Sequence, residues 1–183
     1  SKIERSVSEI KEARIGLKPA SIALPPTKSS WRVIYREVNE EEPCSIMETS
    51  TTLKVPEKVE DAFWAPMALQ HWLHEKAEGY LTKRLDSVAT NLKASYNKVS
   101  IKKLKTRWGS CSIKRNISLN RNLMLMSVEA VDYVLYHELV HLKVLNHSSK
   151  FWKELDRSFP SCEESLAQLK DFENNKIPGW ALV

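Results

Sequence analysis

Apolar side chains recur along this chain with two different periods, and the change of period divides it into elements. Residues 31–37 alternate apolar and polar positions, as a strand with one buried face does. An acidic turn over residues 39–43 follows, and a Thr-rich second strand is expected over 45–55, ending at Pro56. From residue 66 to 92 the spacing becomes three and four. Met67, Leu69, Trp72, Leu73, Tyr80, Leu81, Leu85, Val88 and Leu92 share a helical face, and Pro66 suits a first turn. Gly79 lies inside and is expected to split this stretch into two helices. Residues 98–108 read as a strand with Val99, Ile101, Lys103, Lys105 and Arg107 on one face. After a turn at 114–116, residues 117–126 read as another.

Ser127 is a good N-cap, and Glu129 and Asp132 suit the positive first turn of the helix it opens, expected to reach about residue 145. Further helices are expected over 150–157 and 162–172, with regular structure ending at Pro178 and Gly179. Residues 1–30 are polar, carry Pro19, Pro25 and Pro26, and read as an extension with one short helix near residues 7–13. Strands and helices in this succession predict an α+β fold.

Composition narrows the class. The 183 residues suit one domain, or one domain with an extension. With 42% hydrophobic and 28% charged residues the chain can build a sizeable core, and wholesale disorder is excluded. No apolar run approaches the roughly 18 residues of a membrane helix. The first residues lack the apolar stretch of a secretory signal, so a cytoplasmic protein is expected. Cys44, Cys111 and Cys162 are odd in number and form no Cys-x-x-Cys pair, which argues for reduced thiols over disulfides or a thiolate metal site.

Charge is unevenly placed. Between Asp86 and Glu129 no acidic residue occurs, while Lys93, Lys98, Lys102, Lys103, Lys105, Arg107, Lys114, Arg115 and Arg121 all fall there. The net charge of +5 therefore belongs to this one segment, which marks an anionic partner or a solvated face.

The strongest chemical signal is His137-Glu138-Leu139-Val140-His141. Side chains four apart on a helix point the same way, so both imidazoles reach one metal ion. Glu138, one step around, stands beside that ion and takes a proton from metal-bound water. The flanking Val131, Val134, Leu135, Leu139, Val140 and Leu142 make this a buried helix by pattern. Two histidines and a glutamate inside it need a compensating partner, and a divalent cation is the simplest. His147, six residues beyond His141, is the third ligand; three protein ligands plus water is the usual catalytic zinc arrangement, so one Zn2+ per chain is expected. Glu154 and Glu163 are the alternatives for that third position. The spacing equals that of metzincins with Val144 in place of their Gly, so Asn146 is expected to turn the chain in a left-handed conformation. His71 and His74, three apart on the long helix, lack the further ligands a second site needs.

A family resemblance joins these residues. Arg107-Trp108-Gly109-Ser110-Cys111-Ser112, Ile117-Ser118-Leu119-Asn120, the stretch from Tyr133 through His137 and His141 to Leu142, Asn146-His147-Ser148 and Phe151-Trp152 together resemble the YgjP-like zinc metallopeptidases, relatives of the SprT-like proteins among the zincins. The resemblance implies a zincin-like domain with a small antiparallel or mixed sheet and an active-site helix, His137, His141 and His147 as ligands, and Glu138 as catalytic base. It divides the chain into an N-terminal extension or variant strand region over 1–52, the metallopeptidase domain over 53–175 and a C-terminal tail over 176–183.

In zincins a substrate lies along a sheet edge above the metal, and residues 105–112 or 117–122, with Trp108 and Gly109, are the candidates for that edge. Tyr133, Tyr136 and Arg107 are candidates for stabilising the oxyanion. Three functions compete: a peptidase acting on peptide or protein substrates, a DNA-associated SprT-like protease or adaptor, and a non-catalytic metal-stabilised interaction module. DNA contact would run through residues 93–121, with Lys102, Lys103, Lys105 and Arg107 foremost and Trp108 placed to stack on a base. The intact Glu138 speaks against the third, because a structural site has no need of a base there.

Overall fold

The helix expected from residue 66 begins two residues earlier and runs unbroken through Gly79 as α1, Trp64–Asn91. A glycine in a helix interior costs about 1 kcal/mol against alanine. Leu73, Ala77, Leu81 and Leu85, all without solvent exposure, outweigh that cost by burial, so the helix does not split. The computed structural model describes residues 16–39, 41–160, 162–175 and 177–182; the short helix expected near residues 7–13 lies outside them. The chain divides into two compact units, one holding residues up to Ala23, Lys28–Trp72 and those from Ile177, the other Leu24–Thr27 and Leu73–Lys176.

The first unit carries a four-stranded sheet of β1 (Ser21–Leu24), β2 (Ser29–Glu37), β3 (Met47–Glu48) and β4 (Thr52–Glu57), in the order β1-β2-β4-β3. β2 and β4 are parallel, with Arg32 opposite Thr52 and Glu37 opposite Glu57, and β3 is antiparallel to β4. The alternation read in residues 31–37 is realised, with Trp31 and Val33 buried between exposed Arg32 and Ile34. The expected second strand is interrupted: residues 49–52 form a turn in which Thr49 Oγ1 accepts from the backbone N–H of Thr51 and Thr52, and β3 and β4 lie on either side of it. Trp31 meets Trp72 edge to face at 5.2 Å.

Regular structure does not stop at Gly179. A short helix α5, Gly179–Leu182, puts Trp180 in the core of this unit, where its carbonyl accepts from Gln70 Nε2 at 2.9 Å. Its N–H bonds to the carbonyl of Gly16, whose φ of +82° favours glycine and where an added Cβ would crowd the Gly179 nitrogen at 3.2 Å.

The second unit holds a three-stranded sheet and the helices around it. β5 (Lys98–Lys102), β6 (Gly109–Cys111) and β7 (Asn116–Asn120) stand in the order β5-β7-β6, with β5 parallel and β6 antiparallel to β7. The strand expected over 98–108 ends at Lys102. Residues 103–108 are a loop, because the backbone carbonyls of Leu104 and Arg107 accept from the Asn120 side chain at 2.9 and 3.1 Å instead of joining a ladder. Lys103, Lys105 and Arg107 therefore do not line a strand face. β7 stops at Asn120 for a related reason. Asn120 Oδ1 accepts from the N–H of Asn122 and opens a 3-10 turn, Arg121–Leu125, that buries Leu123 and Met124.

Helix α2, Val128–Val140, starts as expected, with Ser127 Oγ accepting from Ala130 N. Arg84 of α1 donates from Nε and Nη2 to the two carboxylate oxygens of Asp132 at 2.8 and 2.5 Å. α3 (Ser149–Ser158) and α4 (Cys162–Asn175) pack on α2. α2 ends five residues short of 145: Leu142 N bonds to Leu139 O and Lys143 N to Val140 O, tightening the last turn. Asn146 does not adopt the left-handed conformation; among the described non-glycine residues only Lys28, Lys93 and Arg115 do.

Candidate metal centre

Helical geometry sets the first two imidazoles. His137 and His141 are one turn apart on α2, with ring centroids separated by 4.9 Å. The tight turn after α2 then carries the chain back, so that His147 Nε2 lies 3.0 Å from His137 Nε2 and 3.1 Å from His141 Nε2. Among the described residues these three form a group able to hold a metal ion, and neither Glu154 nor Glu163 belongs to it. Glu154 is held by Lys143 and Arg157 instead, which keeps its carboxyl below the usual range. His71 and His74 stay outside the cluster; His74 faces Glu78 at 3.5 Å.

The rings are oriented by their surroundings. His141 Nδ1 donates to the carbonyl of Val144 at 3.1 Å, which leaves its Nε2 lone pair aimed at the other two histidines. Phe151, fully buried on α3, lies 4.5–4.8 Å from all three imidazoles and forms one wall. Trp152 stacks on His147 at 5.8 Å and donates from Nε1 to its carbonyl. Burial and then the neighbouring imidazoles push His137 down to about 4, and burial also lowers His141, so these two rings are held toward their neutral forms. Three imidazoles with converging Nε2 atoms fit a divalent cation of borderline softness.

Glu138 is 5% exposed, and burial drives its carboxyl up to about 8, with the charge of Arg107 acting in the opposite direction. Its Oε2 has no protein hydrogen-bond partner, an orphan that a buried carboxyl tolerates where a water or substrate completes it. Directly against it is Gly109 on β6; a Cβ there would fall 2.7 Å from Glu138 Oε1.

The remaining candidates separate. β7 is paired on both sides, so residues 117–120 are no edge; β6 is the outer strand of its sheet. Trp108 is half-buried and its carbonyl accepts from Asn120 N. Tyr133 is buried with its ring 5.9 Å from that of His137, whereas Tyr136 stacks on Phe159. Lys102, Lys103, Lys105 and Arg107 are exposed at the end of β5 and along the loop into β6. Sequence reasoning did not single out Phe151 as a wall of the cluster or Asn120 as the anchor of the loop. Both sit within the motifs that carry the resemblance, but only their contacts reveal the roles.

A mixed sheet, a helix presenting two imidazoles and a glutamate, and a third imidazole returned by a turn define a metallopeptidase domain. The chain matches the family described as YgjP-like, metallopeptidase domain over residues 35–172, and it belongs to that family. It is 34% identical over 92 residues to the uncharacterized protein MJ1213 of Methanocaldococcus jannaschii, covering 49% of this chain and 84% of that one. Among solved structures it is similar to the metallopeptidase zymogen jannalysin of Methanocaldococcus jannaschii, with 27% identity, a TM-score of 0.45, and coverage of 50% of this chain and 94% of that one. The metallopeptidase zymogen abylysin of Pyrococcus abyssi gives 27% identity, a TM-score of 0.45, and coverage of 54% and 97%. Among the described residues no helix is long and apolar enough to cross a membrane.

Proposed function

We propose that this metallopeptidase is a zinc-dependent endopeptidase in which His137, His141 and His147 hold the ion and Glu138 is the general base. The observation that supports this best is the convergence of three Nε2 atoms beside a buried carboxyl whose Oε2 has no protein partner. A zinc ion held there supplies Lewis acidity at neutral pH. Glu138 takes the proton of the attacking water, keeps it shielded in its buried site, and delivers it to the departing amide nitrogen. Proximity to a cation lowers its pKa from the metal-free value of about 8, which favours the ionised base at neutral pH.

An extended substrate segment adds to the free edge of β6, satisfying backbone groups of that strand as it binds. Gly109 at this edge lets the strand lie directly over Glu138. Of the groups considered for the oxyanion, Tyr133 stands against His137 and Arg107 is within electrostatic reach of Glu138, and these two are the residues to test. The deciding experiment pairs elemental analysis with cleavage of an unfolded protein by wild type and Glu138→Gln. One zinc per chain in both, with cleavage only by wild type, is the expected result. Equal cleavage by both would overturn the role of Glu138, and purified protein that fails to bind zinc would overturn the ligand set.

A further inference from the structure

The outer strand of the second unit is flanked by positive charge at both ends. Before β6 come Lys102, Lys103, Lys105 and Arg107; after it, in the hairpin to β7, come Lys114 and Arg115. All six are exposed. Among the described residues no acidic side chain forms an ion pair with Lys102, Lys105 or Arg107, although Glu138 feels the charge of Arg107. Like charges are crowded here: Lys103 is lowered by burial and then by the charges of Arg121 and Lys105. Repulsion of this kind persists only where the backbone holds the groups together. Asn120 supplies that restraint, since its Nδ2 binds both the Leu104 and Arg107 carbonyls and its N–H takes the Trp108 carbonyl. The loop is thus a positioned surface, continuous with the strand edge that overlies Glu138.

We infer that β6 and its basic flanks select extended polypeptide segments rich in Asp and Glu. This rests on the peptidase reading above and names its substrate class. A strand rises about 3.3 Å per residue, so a peptide laid along the three residues of β6 reaches the basic loop and hairpin within a few residues of the bond over Glu138. Its backbone finds the strand edge, and its carboxylates find the lysines and Arg107. Nucleic acid fits less well. Single strands are held by bases stacked on exposed aromatic rings, and the one aromatic side chain between residues 98 and 121, Trp108, is half-buried with its carbonyl tied to Asn120.

The test measures binding apart from cleavage. Zinc-loaded full-length Glu138→Gln is titrated with a fluorescent octapeptide alternating Glu and Ala, and with its Gln and Lys counterparts. Two or three exposed charge contacts amount to about tenfold in affinity. The Glu peptide should therefore bind about tenfold tighter than the Gln peptide, and the difference should vanish at high salt. Lys102→Glu combined with Lys105→Glu, added to the same protein, leaves four basic residues against two new acidic ones and should shrink the preference for the Glu over the Gln peptide to about threefold or less. Equal affinity for the Glu and Gln peptides in low salt overturns the inference, as does oligothymidine displacing the Glu peptide and binding more tightly through the same lysines. Cleavage of the three peptides by wild type separates this from the reading beneath it. Charge-selective binding without cleavage sinks the peptidase mechanism alone, and cleavage without charge preference sinks the substrate class alone.

Discussion

Gly109 and Glu138 are so close that a Cβ on Gly109 would lie 2.7 Å from Oε1, 2.8 Å from Cγ and 3.0 Å from Cδ of the glutamate. Real Cβ atoms do not approach so near, and Glu138 is buried with little room to retreat. Gly109→Ala must push the whole carboxyl aside or lift β6 away. We expect a loss of at least about a hundredfold in kcat/KM, the scale of a misplaced general base, with metal content unchanged. Wild-type kcat/KM in the alanine variant would show that Glu138 need not sit where it does.

The proposed ligands should fail together. His137→Ala and His141→Ala each remove a nitrogen from a three-donor set, so zinc should be lost on gel filtration in both. His147→Ala tests the return of the chain after α2. Phe151 keeps its contacts with His137 and His141, and Trp152 Nε1 still has the backbone carbonyl of residue 147 in that variant, so it should stay folded while its zinc affinity falls. Full zinc occupancy after gel filtration in the His147 variant would place the third donor elsewhere.

The metal-free protein should be squeezed by pH from both sides. The Glu138 carboxyl is raised in the fold from 4.5 to about 8, so its contribution is intact below pH 4.5 and is lost as pH rises toward 8. His137 is lowered from 6.5 to about 4, so its contribution is intact above pH 6.5 and is lost as pH falls toward 4. The alkaline loss is on the order of 5 kcal/mol. Urea unfolding of EDTA-treated protein should show maximum stability between these limbs, and Glu138→Gln should flatten the alkaline one. Identical profiles for the two proteins would mean that Glu138 is not buried as described.

Asn120→Ala removes the side chain that holds the basic loop. Two loop carbonyls lose their donor and the 3-10 turn loses its cap, which together should cost about 2–3 kcal/mol. Amide exchange should quicken over residues 103–109 while the histidine cluster still binds zinc. Unchanged exchange there would show that the loop is held by other contacts.

Gly79→Ala offers a clean check on α1. The position is exposed, and nothing lies within 4 Å of the added Cβ. The substitution should stabilise the protein by about 0.5–1 kcal/mol in urea unfolding, the helix-propensity difference alone. Destabilisation would mean that the helix is not continuous through this residue.

Features written within a single helical or strand period were legible in the chain itself. His137, Glu138 and His141 are placed by the pitch of α2, Ser127 caps the same helix through its own hydroxyl, and Trp31 and Val33 follow the two-residue alternation of β2. Length, charge distribution and the lack of a Cys-x-x-Cys pair needed no structure either. What escaped sequence reading depends on groups distant along the chain. Residues 103–108 alternate like a strand, yet the Asn120 side chain claims their carbonyls from more than ten residues away. Gly79 reads as a break until Leu73, Ala77, Leu81 and Leu85 on either side of it are seen fully covered. The last residues read as a tail until Trp180 finds Gln70. The placement of β6 over Glu138 likewise comes from its pairing with β7 and its packing on α2. Local periodicity sets which side chains share a face, because backbone geometry repeats. Which faces and carbonyls then meet is decided only when the folded chain brings their partners within hydrogen-bonding or van der Waals reach.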